Sequence, residues 1–341
     1  MSEIGTAPTA STAPEATPAP SADLASSPMT QIADAASASE PKPEPAPAPV
    51  TAEAITAPSE PVRTETKETE TKEPQNSLTE RFTTAEWDAL KEFRKILPEI
   101  FAEGLPDEAD AKTTAITLWG VKIDPANPID AKVSVVLMKF LRARNLSTNE
   151  ARSMLVGTLR WRSEFDVEAA VKEEFPADIF DPLGHVYGKD KQGRPVVYNV
   201  YGATDTKVAF SDVKLFLRWR VALMEKSLAL LDFDTVDQTV QVHDYAGVSL
   251  SSRDANSKQA ASEASGIFSD HYPELLYKKF FVNVPGYLTW IFWLFKPLIS
   301  ANTLAKMSVV GSGASTIGKA LLPIIEAKEL PKQYGGEADG F

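Results

Sequence analysis

Residues 280–306 read FFVNVPGYLTWIFWLFKPLISANTLAK, and the interpretation of the rest of the chain depends on this stretch. It begins as an apolar, strand-like run, breaks at Pro285 and Gly286, and continues through residues 288–295, of which only Thr289 is polar. A membrane-spanning helix needs roughly 20 apolar residues, and a surface helix shows one apolar stripe. A short segment that is apolar on all sides is either buried or divides its time between protein and membrane.

Composition excludes several classes of site. The 341 residues contain no cysteine, which rules out disulfides, thiolate metal sites and cysteine nucleophiles. No run near the start is typical of a signal peptide, so we expect a soluble protein with only peripheral membrane contact. Residues 1–80 contain 13 acids and 4 bases, which leaves 34 acids and 31 bases in the remainder. A nearly neutral body gives no support for nucleic-acid binding.

The first 76 residues and the segment after them differ sharply in composition. Residues 1–76 are mainly Ala, Pro, Ser, Thr and Glu without an aromatic residue, which predicts a disordered tail, either passive or a docking segment. Residues 82–175 show helical periodicity and predict a small helical subdomain. Helix starts are indicated at Thr83 or Thr84, near residue 131 and at Ser147.

Residues 176–341 alternate between strand and helix patterns. Strands are predicted at 196–201, 239–245, 279–285 and 307–311, and helices at 212–231 and 252–269. This alternation predicts an α/β domain with a mainly parallel sheet and helical crossovers. GSGAST at 311–316 lacks the third glycine of a dinucleotide-binding loop, so no nucleotide is expected. No nucleophile–base set is evident, and we do not expect an enzyme.

Six segments in a fixed order carry a family resemblance. They are FLRAR at 140–144, YGKDKQGRPV at 187–196, DYAGVS at 244–249, SDHYPELLYKKFFVNVP at 269–285, FKP at 295–297 and LPKQYGG at 330–336. Together they resemble the CRAL-TRIO lipid-binding family, in particular its fungal phosphatidylinositol transfer proteins, over about residues 82–337. The resemblance implies a helical N-terminal subdomain packed on the α/β domain, with a hydrophobic pocket closed by a gate helix, here residues 286–306.

The same resemblance implies a phosphatidylinositol headgroup site. The matching positions are Arg144, Glu274, Thr303 and Lys306. Cations and a hydroxyl suit a phosphate, and a carboxylate accepts from inositol hydroxyls. From the residues alone, Arg144 has an alternative role, because a cation at the end of a helix also complements the helix dipole.

A second group of residues differs from the lipid exchangers and points to haem. His243 and Tyr245 are two apart on a predicted strand, so their side chains face the same way. The HDY triplet is similar to the haem-binding branch of these fungal proteins, and a phenolate is a known ligand of haem iron. The resemblance therefore implies haem b on Tyr245 and His243. From the residues themselves we expect Arg218 to supply positive charge and Tyr198 to lie alongside. The alternative is a polar lining for a lipid headgroup or an ordered water.

The apolar pocket, together with the gate that shields it, must supply most of the free energy of holding a lipid. A two-chain lipid exposes roughly 30 methylenes at about 0.8 kcal/mol each, far more than a few hydrogen bonds contribute. The expected gate side chains are Trp290, Phe292, Trp293 and Phe295. We expect a cytoplasmic carrier that moves phosphatidylinositol between membranes, associates peripherally with the endoplasmic reticulum or other internal membranes, and serves lipid kinases. The alternative is a dedicated haem protein for haem storage or oxidant-stress response.

Overall fold

The computed structural model describes residues 73–248, 255–284, 286 and 305–341. Nearly all of the predicted tail therefore lies outside the described residues. The same holds for the expected gate side chains and for one headgroup residue, namely Trp290, Phe292, Trp293, Phe295 and Thr303.

The N-terminal part is helical, as its periodicity predicts. Its first long helix begins with a capping box in which Thr83 accepts from the amide of Glu86, while the Glu86 carboxylate accepts from the amide of Thr83 at 2.8 Å. The helices are α1 (Thr84–Lys95), α2 (Leu97–Gly104), α3 (Ala131–Arg142), α4 (Thr148–Phe165) and α5 (Val167–Lys172).

A small hairpin in this part was not predicted. Strands β1 (Ile116–Leu118) and β2 (Val121–Ile123) pair antiparallel around Trp119 and Gly120. Both turn residues have positive φ, 51° and 81°, as a tight hairpin turn requires. Tryptophan is not a usual turn residue, and for that reason the pattern does not reveal the hairpin.

The C-terminal part is built around a five-stranded sheet. Its elements are α6 (Ala177–Phe180), β3 (Gly184–Lys189), β4 (Pro195–Val200), α7 (Thr206–Ala209), α8 (Val213–Leu228), β5 (Thr239–Asp244), α9 (Ala255–His271), β6 (Leu276–Val282), β7 (Met307–Val309) and α10 (Ala314–Leu321). The strand order is β3-β4-β5-β6-β7, with β3 and β4 antiparallel and every later pair parallel. The predicted mainly parallel sheet is confirmed.

The two faces of this sheet have different chemistry. On one face, Tyr198, Val242 and Phe280 pack with α10 and Tyr334 in an apolar core. Side chains on a strand alternate between faces, so the intervening residues point the other way. Register pairs Asn199 with His243 and Gln241 with Lys279, and we call the face that carries these four side chains the polar face.

One apolar core joins the helical part to the sheet domain. It gathers side chains from α1 to α4 together with Met224 and Leu228 of α8 and Tyr272, which follows α9. Among the described residues, no helix is both long enough and apolar enough to cross a bilayer.

Candidate functional site

Two of the four predicted headgroup residues are in direct contact. The Lys306 Nζ lies 2.8 Å from Glu274 Oε2, and their side chains are 27% and 29% exposed. Lys306 comes just before β7, and Glu274 lies in the turn before β6. The parallel pairing of these neighbouring strands brings the two residues together. The pair is therefore sheltered yet reachable by a polar headgroup.

The turn that carries Glu274 is held from the helical part. Glu274 has a left-handed backbone, with φ of 52°, and its carbonyl accepts from Lys139 Nζ at 3.0 Å and Gln238 Nε2 at 3.3 Å. Lys139 is buried and also donates to Asp237 Oδ2 at 2.7 Å. A lysine on α3 thus holds the turn that carries the Glu274 carboxylate.

Arg144 is not joined to this pair. Its Nη1 donates to the Ala143 carbonyl at 2.9 Å, immediately after the end of α3. Within the described part of the chain, no hydrogen bond or ion pair links Arg144 to Glu274 or Lys306. The contact agrees with the helix-end role that the sequence left open, while the phosphate role of Arg144 stays a prediction.

The polar face contains a hydrogen-bonded cluster around His243. Tyr201 Oη lies 2.7 Å from His243 Nδ1, and His243 Nε2 lies 3.1 Å from Gln241 Oε1. These partners fit a neutral ring that accepts from Tyr201 and donates to Gln241. Burial, with the charges of Lys279 and Arg220, holds the pKa of His243 well below its ordinary value. The histidine is thus a neutral hydrogen-bonding group at physiological pH.

Tyr245 lies beside this cluster, and its hydroxyl has no polar partner among the described residues. Its ring is half-buried, 5.2 Å from the Tyr201 ring and 6.4 Å from the Phe281 ring. The Tyr245 hydroxyl makes no hydrogen bond to another described residue. Burial raises the pKa of Tyr245 above its ordinary value. The structure therefore brings His243 and Tyr245 to one face, with Tyr201 between them as a member that the sequence reasoning missed.

The predicted position of Tyr198 beside these residues is wrong. Tyr198 is fully buried on the opposite face of the sheet, stacked on Tyr334 at 5.2 Å and against Phe341 at 5.0 Å. The reason is strand alternation, since Tyr198 pairs with Val242, one residue away from His243.

The predicted role of Arg218 as the local cation is also wrong. Arg218 forms an ion pair with Glu173 and donates from Nη1 to the Phe165 carbonyl at 2.9 Å. The arginine whose charge reaches the cluster is Arg220, which is 7% exposed and acts on the pKa values of Tyr201 and His243.

Comparisons with known proteins agree with this architecture. Residues 183–336 match the CRAL/TRIO domain model. A phosphatidylinositol transfer protein of Debaryomyces hansenii is 33% identical over 74% of this chain and 77% of its own length. The chain belongs to the CRAL/TRIO family.

Further CRAL/TRIO relatives are similar in sequence and structure. A Sclerotinia sclerotiorum phosphatidylinositol transfer protein is 37% identical over 78% of this chain, which spans 65% of that protein's length and 52% of the length of a Botryotinia fuckeliana relative. The crystal structure of Sfh5 superposes with a TM-score of 0.62 at 29% identity, covering 75% of this chain and 88% of that one. The predicted CRAL-TRIO fold is confirmed, and the names of the relatives agree with a carrier rather than an enzyme.

Of the two residues of this cluster that the prediction missed, only Tyr201 had a signal in the sequence. Tyr201 lies two residues after Asn199, which places both on the face of His243 once the register of β4 and β5 is known. Arg220 carries no such signal. Arg218 and Arg220 both lie on α8, and only the packing of that helix shows which of them is buried.

Proposed function

We propose that this chain binds phosphatidylinositol, transfers it between membranes and so supports phosphoinositide homeostasis. The observation that carries the proposal is the sheltered ion pair of Glu274 and Lys306. A lipid phosphate would bind the ammonium group, and the inositol hydroxyls would donate to the carboxylate. Several relatives are named phosphatidylinositol transfer proteins, which supports the same ligand.

The test is transfer of labelled phosphatidylinositol between vesicles. Hydrogen bonds to charged groups contribute about 1.5–3 kcal/mol, so Lys306→Ala should lower the transfer rate at least about tenfold. Lys332→Ala is the matched control, because the side chain of Lys332 is 65% exposed and, among the described residues, forms its ion pair with Asp339 at the surface. Equal transfer by the Lys306→Ala variant and the wild type would contradict the headgroup site.

The proposal includes the gate in residues 286–306. Charging an apolar wall should block lipid passage, so Trp293→Asp should abolish transfer while circular dichroism shows a folded protein. Val171→Asp is the control, since Val171 is an exposed apolar residue on α5 and receives the same charge. Normal exchange by Trp293→Asp would remove the gate from the mechanism.

The same proposal includes where the protein acts and which enzymes it serves. We infer peripheral association with the endoplasmic reticulum or other internal membranes, and presentation of the lipid to lipid kinases. Kinase presentation is tested by adding the protein to a phosphatidylinositol kinase with vesicles. Phosphoinositide output should rise for the wild type and not for Lys306→Ala.

A second candidate function is haem binding at Tyr245, including the alternative of a protein dedicated to haem. The favouring observation is the Tyr245 hydroxyl, which has no hydrogen bond to another described residue, beside the ordered Tyr201–His243 pair. Bound haem would supply iron, whose accepted axial ligands include a tyrosine oxygen. Tyr245 would hold the iron, and His243 would be kept in place by Tyr201 and Gln241. The raised pKa of Tyr245 means that its proton must leave on iron binding.

Haemin titration followed by absorption tests this candidate. The wild type should give a Soret band and one iron per chain, and Tyr245→Phe should lose both. Tyr198→Phe makes the same chemical change on the opposite face of the sheet and should retain them. A wild-type chain that gives no Soret band, or a Tyr245→Phe variant that keeps it, would exclude Tyr245 as the iron ligand.

A further inference from the structure

Two cations, Lys279 on the polar face and Arg220 on α8, have no carboxylate partner among the described residues. Arg220 is 7% exposed, and it makes no hydrogen bond or ion pair with another described residue. Lys279 is half-buried on β6 and is equally without an acidic partner among the residues described. Burying an unpaired charge is strongly unfavourable. An anion bound beside both charges would offset this cost.

The groups around these cations offer hydrogen-bond donors. Lys279 pairs in register with Gln241, so the two side chains are neighbours on the polar face. Gln241 accepts from His243 through its oxygen, which leaves its amide NH₂ available. Arg220 lies on α8, and its neighbour Trp219 packs in one apolar cluster with Val197, the register partner of Gln241 on β4. The charge of Arg220 also lowers the pKa of Lys279. Ammonium, guanidinium and amide donors thus converge where no described acid faces them.

Contacts with aromatic rings do not compensate the charge of Arg220. The Arg220 guanidinium lies 5.2 Å from the Phe268 ring and 5.8 Å from the Trp219 ring. Cation–π contacts are attractive but leave the positive charge in place. These contacts position the guanidinium against side chains of α8 and α9 without neutralising its charge.

We propose that Arg220 and Lys279, with the Gln241 amide, form an internal anion subsite for the carboxylate or phosphate group of an otherwise apolar guest. The subsite is separate from the Glu274–Lys306 pair, which already contains its own carboxylate. It rests on the proposed function in one respect, because the polar face must form the floor of the pocket that holds the guest. Guanidinium and ammonium groups bind both kinds of oxyanion, so the chemistry common to them is the anionic head.

The experiment compares guests that differ only in head charge. Oleate is paired with oleyl alcohol for the carboxylate, and oleoyl lysophosphatidate with monoolein for the phosphate. Partition of each labelled guest between the full-length protein and neutral phosphatidylcholine vesicles gives its relative affinity. The wild type should prefer the anionic member of at least one pair about tenfold or more, and the pair that shows the preference identifies the head group.

Variants connect the preference to the proposed residues. Lys279→Met and Arg220→Met should each bring the ratio close to one, while keeping uptake of the uncharged guest. Lys278→Met is the matched control, because Lys278 is next to Lys279 on β6 and lies against Tyr277 on the other face. It should retain the wild-type ratio. Lys279 is half-buried, so we expect Lys279→Met to fold. This variant keeps the test decisive even when Arg220→Met misfolds.

The outcomes separate the subsite from the proposed function. Uptake without any charge preference in the wild type, or a preference that survives Lys279→Met, overturns the subsite alone. Absence of uptake for every guest overturns both the pocket and the subsite. Loss of phosphatidylinositol transfer in Lys306→Ala with the oleate ratio intact supports two independent sites.

Discussion

At the scale of single residues, Lys279 is the group on the polar face whose charge can change near neutral pH. Burial and the charge of Arg220 lower the pKa of Lys279 to about 8. His243 faces it from β5 with a pKa well below its ordinary value, and Tyr201 has a raised pKa because it is buried. Arg220 stays charged throughout. Between pH 7 and 9 the net charge of this group of residues therefore follows Lys279.

The lowered pKa of Lys279 predicts how the free energy of unfolding changes with pH. Lysine in an unfolded chain titrates near 10.4, so between about pH 8 and pH 10 the unfolded state binds more protons. Stability rises with pH wherever the unfolded state binds more protons. The free energy of unfolding of the wild type, measured in urea, should therefore rise relative to Lys279→Met from pH 7.5 to pH 9.5. A constant difference across that range would show that Lys279 is not desolvated.

At the scale of elements, strand alternation assigns each tyrosine of β4 and its continuation to a face. Tyr198 lies in the apolar core under α10, and its hydroxyl is buried without a hydrogen-bond partner in the described residues. Tyr201 lies on the polar face and has His243 as its partner. The two tyrosines therefore respond to the same substitution in opposite ways.

Replacement of each tyrosine by phenylalanine tests this assignment. Removing an unsatisfied buried hydroxyl is neutral or stabilising, so Tyr198→Phe should unfold at the same or a higher urea concentration. Tyr201→Phe leaves His243 Nδ1 without its donor, which costs about 1–3 kcal/mol for a buried group. Urea unfolding of both variants is the measurement. Clear destabilisation by Tyr198→Phe would mean that its hydroxyl has a partner.

The elements themselves were largely predictable, while their relative placement was not. The strand predicted at 239–245 is Thr239–Asp244, and the helix predicted at 212–231 is Val213–Leu228. Periodicity fixes such elements because apolar spacing differs between strand and helix. The choice between Arg218 and Arg220 depends on how α8 packs, which periodicity does not encode for a helix with buried residues on several sides.

At the scale of the whole molecule, the helical part and the sheet domain are connected through a buried ion pair. The side chains of Lys139 and Asp237 are 3% and 17% exposed, and Lys139 also binds the Glu274 carbonyl. The apolar core around them includes residues of both parts. We therefore expect the helical part and the sheet domain to unfold in one cooperative transition rather than two.

Substitution of Lys139 measures how strongly its ion pair with Asp237 connects the two parts. Lys139→Met leaves Asp237 and the Glu274 carbonyl without their charged donor, and breaking a buried pair typically costs about 3–5 kcal/mol. Urea unfolding should show that loss in a single transition, and Lys139→Met/Asp237→Leu should recover much of it because no lone charge remains. Lys95→Met is the control, since the Lys95–Glu92 pair is more than 60% exposed on both sides and surface pairs contribute little. A Lys139→Met protein that unfolds in two separate steps would show that the helical part and the sheet domain are stable independently.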